Sequence, residues 1–231
     1  GLGDVYKRQG LVSVKGAEIN GAIKVDGIDS EYHGTDTALT TVTADLSTYT
    51  GSEKGAVIVT NSGNAVFDGK QTLITVDADH AGKVFGVILD KGKAEFNADT
   101  TVINVNNTNA IGTWDYAVDV KVDSQAVFNG KDVSIKAVKI DYTSQTFTVR
   151  DRSTADFNNS GTTIIEANSN ASVTALDVKN GGIMNVNSDI LAIKSEILGG
   201  KEAAINAIGI QIHSEDGHSQ STQLNITDKV N

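Results

Sequence analysis

The chain has 231 residues and a net charge of -10, with no cysteine and no proline. The acidic balance argues against nucleic acid, whose phosphates need clustered Lys and Arg, and against electrostatic docking to anionic lipid. Absence of cysteine excludes disulfides and thiolate metal sites, and no apolar run approaches the length of a membrane-spanning helix.

Residues 1-9, from Gly1 to Gln9, are basic and aromatic in a way the rest is not, and are read as a non-native leader outside the fold. The chain opens without methionine and its one Met is Met184, so it is expected to be a fragment. Residues 10-231 are read as one repeat domain. From Gly10 to Val25 apolar and polar residues alternate, and Ala17-Glu18-Ile19-Asn20 reads as a degenerate early copy of the repeat that fills the middle of the chain, with Ala22-Ile23-Lys24-Val25 as its second strand. Residues 26-55, rich in Gly, Ser, Thr and Asp, read as an inserted excursion in which Thr40-Thr41-Val42-Thr43-Ala44 has strand composition.

One pattern governs the chain from Gly55 to Asn187. Ala65-Val66-Phe67-Asp68 returns as Ala94-Glu95-Phe96-Asn97, Ala126-Val127-Phe128-Asn129, Ala155-Asp156-Phe157-Asn158 and, more weakly, Met184-Asn185-Val186-Asn187. The central apolar positions are 29, 32, 29 and 29 residues apart, which is a structural repeat. Other positions keep phase with it. Seven residues on stand Ile74, Ile103, Ile135, Ile164 and Ile193; eight before stand Val59, Ile88, Val120, Val149 and Val178; four before stand Gly63, Gly92, Ser124, Ser153 and Gly182, which tolerate a tight bend.

Each repeat therefore predicts three short strands, exemplified by Ala56-Val57-Ile58-Val59, by Ala65 with Phe67, and by Thr72-Leu73-Ile74-Thr75-Val76. Alternation along a strand turns Ala and Phe inward and Val66, Glu95, Val127, Asp156 and Asn185 outward. One such turn cannot bury its apolar face alone, so successive turns stack as a parallel β-solenoid with a repeat of about 29 residues; about seven coils would make a rod of roughly 35 Å. The residue after Phe is Asp68, Asn97, Asn129, Asn158 or Asn187, which predicts a corner that uses left-handed backbone and a column of side-chain hydrogen bonds. Loop length varies most between the third strand and the next first strand, from Asp77 to Lys83 and from Asn106 to Asp115, so binding is expected on that side. Towards the end, Lys201-Glu202-Ala203-Ala204 suits a helical turn. Ile208, Ile210 and Ile212 read as a first strand and Leu224-Asn225-Ile226-Thr227 as a second, with residues 213-221 inserted between them.

Chemistry is sparse. No residue is assigned a catalytic, cofactor-binding or metal-ligating role. His213-Ser214-Glu215-Asp216-Gly217-His218 could at most chelate a divalent ion weakly and reads as a polar loop. Asp77, Asp79 and His80 are where acid and base groups would be sought if the solenoid cleaved carbohydrate. Arg150-Asp151-Arg152, in phase with Asp123 and Asp90, reads as a solvated corner. No Gly-x-Ser-x-Gly elbow and no phosphate-binding glycine loop is present.

Repeats such as Ala175-Leu176-Asp177-Val178-Lys179-Asn180-Gly181-Gly182 followed by Met184-Asn185-Val186-Asn187, together with the lack of cysteine, resemble the passenger region of bacterial autotransporters of type V secretion. The resemblance covers residues 10-231, and filamentous haemagglutinin-like exoproteins share the style. It implies an all-β, right-handed parallel β-helix of the pectin-lyase-like superfamily with three short strands per coil. It also implies a place outside a Gram-negative cell or on its outer membrane, and translocation through a barrel carried on another part of the protein. The function expected from it is a non-enzymatic stalk that presents loops to host or bacterial surface glycans or proteins. A polysaccharide-active β-helix enzyme and a purely structural spacer are the alternatives.

Overall fold

The computed structural model describes residues 5-7, 10-15, 18-20, 23-28, 30-35, 39-45, 53-78, 83-108, 115-139, 143-198, 206-215, 217-218 and 220-227; for 5-20, 35-45 and 53-54 only the backbone is described. Among these residues there is no helix, and the strands form three parallel sheets. The first sheet stacks Val5–Lys7, Ile23–Asp26, Glu53–Thr60, Lys83–Asp90, Asp115–Lys121, Ser144–Arg150, Val173–Lys179 and Ala207–His213. The second stacks Gly10–Lys15, Ser30–Thr35, Asn64–Phe67, Lys93–Phe96, Gln125–Phe128, Thr154–Phe157, Ile183–Val186 and Gln223–Ile226. Glu18–Asn20, Leu39–Asp45, Gln71–Ala78, Thr100–Asn107, Asp132–Lys139, Thr162–Ser169 and Ile190–Ile197 make the third. Each coil takes one strand from each sheet in turn, which is the expected β-solenoid.

Inward columns of like residues build the core. Ala65, Ala94, Ala126, Ala155 and Met184 are register partners from coil to coil, as are Phe67, Phe96, Phe128, Phe157 and Val186. Ala and Phe in these columns are wholly buried. Adjacent Phe rings stack at 5.1, 4.8 and 4.5 Å with interplanar angles of 4°, 9° and 9°. Such offset stacking adds about 0.5–1.5 kcal/mol per pair to the area each ring buries. Alternation along the strand leaves Glu95, Val127, Asp156 and Asn185 half-buried on the outer side, whereas Val66 is buried.

Several expectations need correction. The isoleucine column runs Ile74, Ile103, Ile135, Ile165 and Ile193, so Ile164 points outward beside Ser134 and Ala192. The cause is one extra corner residue: Asn159 turns its side chain inward, donating to Lys131 O and accepting from Thr163 and Ser188. Leu89, not Ile88, continues Val59 and Val120, because the corner Lys91-Gly92 is one residue shorter than its neighbours. Ile88 instead joins Phe85, Tyr116 and Ile58 in a separate cluster on the outer side of the first sheet.

Residues 26-55 are not an excursion where they are described. Ser30–Thr35 and Leu39–Asp45 are second and third strands of an ordinary coil, in register with Asn64–Phe67 and Gln71–Ala78. This coil escapes recognition because its volumes are exchanged: Tyr32 stands in the Ala column and Gly34 in the Phe column. Tyr32 fills the space Gly34 leaves, its ring 5.3 Å from that of Phe67. Ile19 likewise belongs to a third strand, opposite Val42, and Ile23–Asp26, expected as a second strand, is a first strand paired with Glu53–Thr60. Val5–Lys7, set aside as a leader, pairs with Ile23–Val25.

Candidate functional site

The loops between third and first strands that the sequence favours for binding contain 79-82 and 109-114, which lie outside the described residues, as do Asp79, His80 and the 201-204 stretch. Asp77 is exposed and accepts from Asn106 Nδ2 at 3.4 Å, a contact between neighbouring coils. The edge whose chemistry can be built up is the corner between first and second strands.

Most of these corners have three residues, as in Asn61-Ser62-Gly63, Val122-Asp123-Ser124, Asp151-Arg152-Ser153 and Asn180-Gly181-Gly182. The first two residues are left-handed, with φ from 52° at Asn61 and Asn180 to 78° at Gly181. The left-handed backbone expected after the Phe is therefore found here, at the corner before the second strand, and not at Asp68, Asn97, Asn129, Asn158 or Asn187. The third corner residue is small because it packs on the coil below: a Cβ on Gly182 would stand 2.3 Å from Val149 O. Ser124 and Ser153 fit by turning their hydroxyls to the backbone, accepting from Gly92 N and Ser124 N at 3.1 Å each.

Where the Lys91-Gly92 corner is short, a recess of about 300 Å³ opens, lined by Ser62, Lys91, Lys93, Asp123, Gln125 and the neighbouring glycines. Its charges are largely committed. Lys93 pairs with Glu95 at 2.5 Å, and Arg152 donates twice to Asp123 at 2.7 and 2.6 Å. The hydrogen bond from Arg152 holds the Asp123 carboxyl below the usual carboxylate range. The expected phase of Arg152 with Asp123 is thus present, whereas Asp90 pairs with Lys121. Arg150 is not a solvated corner residue: it makes a two-pronged contact to buried Asp119 at 3.1 and 3.0 Å and also donates to Asp151. Burial opposes its charge, yet Asp119 wins and the guanidinium is held above its ordinary value.

Two coils on, buried Asp177 accepts from His213 at 3.1 Å and pairs with Lys179. Between the strands that end at His213 and begin at Gln223, the corner expands to Ser214–Thr222. Asn180 anchors it, accepting from Glu215 N at 2.9 Å and donating to Glu215 Oε2 at 3.3 Å, while Gly181 N donates to Thr222 Oγ1. Hydrogen bonding from Asn180, then the charge of Lys179, keeps the Glu215 carboxyl low. His213 and His218 do not come together with a third ligand, and the described residues contain no metal-holding cluster. Asp119 and Asp177 were missed in sequence although each interrupts an apolar run, in Val118-Asp119-Val120 and Leu176-Asp177-Val178.

Beyond the next corner, the predicted Asx column is a hydrogen-bonded ladder. Asn97 donates to Asp68, Asn129 to Asn97, Asn158 to Asn129 and Asn187 to Asn158, at 2.8 to 3.2 Å. On the face between the two corners a second ladder runs from Asn225 to Asn185 to Asp156 at 2.8 and 2.7 Å. The Asx side chains of these two ladders thus bind one another from coil to coil. Comparison of the chain with family models, with curated proteins and with solved structures finds no match.

Proposed function

We infer that this chain is a β-helical segment of a secreted or cell-surface passenger of the autotransporter type, a non-enzymatic stalk that presents loops for adhesion. The carrying observation is the contrast along one edge. From Asn61-Ser62-Gly63 to Asn180-Gly181-Gly182 the corner is closed by tight turns of two or three residues, and one coil then opens it into the longer polar connection from Ser214 to Thr222, whose described residues are largely exposed. Contacts run from each coil to the next, so folding can propagate from one end, and no disulfide obstructs passage in an unfolded state. Surface glycans or proteins are the partners this reading implies.

Replacing 214-222 by the three-residue corner Asn-Gly-Gly tests it. The parent segment should bind cells saturably, and the variant should lose at least about tenfold in affinity, roughly 1.4 kcal/mol, with unchanged circular dichroism. Absence of saturable binding by the parent would leave the spacer as the better account.

A further inference from the structure

At the third corner of the coil, inward positions carry polar residues that neither the ladders nor the corner ion pairs explain. Asn107 and Lys139 are direct register partners at the ends of Thr100–Asn107 and Asp132–Lys139. Asp115 begins the first strand of the coil that follows Asn107. All three side chains are 0% exposed. The Asp115 carboxyl stands between the other two groups: Oδ1 accepts from Val84 N at 3.2 Å and from Asn107 Nδ2 at 3.3 Å, and Oδ2 lies 3.5 Å from Lys139 Nζ.

That last distance is too long for a sound hydrogen bond, and neither Nζ nor Oδ2 has one among the described residues. Two ions held out of water without full hydrogen bonding are costly, and passing a proton from the ammonium to the carboxylate removes both charges. Burial, only partly offset by Lys139, pushes the Asp115 carboxyl up to about 6. A neutral amine is a nucleophile, and a neutral carboxyl beside a carboxamide is a general acid.

We propose that Lys139 and Asn107 become joined by an intramolecular amide bond, with Asp115 moving the protons. Neutral Lys139 Nζ adds to Cγ of Asn107, whose carboxamide turns over to set its oxygen against the protonated carboxyl of Asp115. The intermediate collapses by breaking the Cγ–Nδ2 bond; Asp115 relays one proton from Nζ to the departing nitrogen, which leaves as ammonia. Amine and carboxamide give substituted amide and ammonia, so no oxidant or reductant is required. Asp115 is left protonated and uncharged, and the buried ion pair is gone. Asn107 is the acyl partner because it faces Lys139 across adjacent parallel strands, about 4.8 Å apart, while Asp115 contacts both nitrogens. In a chain without cysteine the bond would tie the Phe96 coil to the Phe128 coil and restrict the unfolded chain as a disulfide does.

Intact-mass spectrometry of the purified, folded chain is the experiment, followed by digestion and fragment sequencing. The expected mass is lighter than the sequence by one ammonia, with a branched peptide linking Asn107 to Lys139. Lys139→Arg and Asp115→Asn should each keep the full mass of their own sequences. A folded parent chain at full mass would overturn the proposal. So would a mass lighter by one water with the branch at Asp115, since Asp115 would then be the acyl partner and not the proton carrier.

Discussion

Gly130 follows Asn129 in the ladder corner, and it is there for space and not for an unusual backbone angle. A Cβ at this position would lie 1.8 Å from the carbonyl oxygen of Ala98 in the coil below. No rotamer change relieves a clash with backbone, so the corner itself must move. Gly130→Ala is therefore expected to cost about 3 kcal/mol in urea unfolding, the upper part of the overpacking range. Gly209 is a control, because its added Cβ would meet only Ile193 Cγ2 at 3.8 Å; Gly209→Ala should leave the midpoint nearly unchanged. Single residues also limit what can be read from the chain. Counting seven on from Phe157 lands on Ile164, and only the inward turn of Asn159 moves the core position to Ile165. Two isoleucines stand side by side, so composition gives no reason to choose between them. Asp115 and Lys139 are less legible still, since each looks like an ordinary polar strand end until the fold closes over both.

Within a strand, burial depends on the volume shared by facing positions, and the second strands show two solutions to one packing problem. Most coils place Ala before Phe, whereas the Tyr32 coil sets its large residue first and follows it with Gly34. A pattern search for Ala-x-Phe passes over it, which is why a regular coil reads as an insertion, although the β-branched run at Thr40–Thr43 already marks its third strand. Tyr32 carries a further cost, because its buried hydroxyl finds no hydrogen-bond partner among the described residues. Burial pushes that phenol up to about 12. Tyr32→Ala should destabilise by about 3–5 kcal/mol, as large-to-small aromatic replacements do. Adding Gly34→Phe should restore a substantial part by extending the Phe stack onto Phe67. Thermal or urea melts of the single and double variants measure this coupling, and an additive result would show that the two positions do not share one space.

Across the whole molecule, each coil is covered by its neighbours, and exposure rises in the last described coil. Leu176, Val178 and Val186 are at most 1% exposed, while their counterparts Ile210, Ile212 and Ile226 are 43%, 49% and 57% exposed. The net charge of -10 opposes association, but at physiological salt that repulsion is screened beyond about 8 Å. The apolar end should therefore dominate at close range. Sedimentation at rising concentration is expected to show self-association of this chain, reduced by Ile210→Lys combined with Ile226→Lys.

The parallel sheets also set how the rod answers a pull. Backbone hydrogen bonds run from coil to coil, along the stacking direction, with eight register pairs in the third sheet and four in the second between the Phe96 and Phe128 coils. A tug spread over a whole coil loads them together. A tug on the chain's last residues meets them in succession, so the rod would unreel one turn after another, lengthening under modest tension where a globular domain would give way at once.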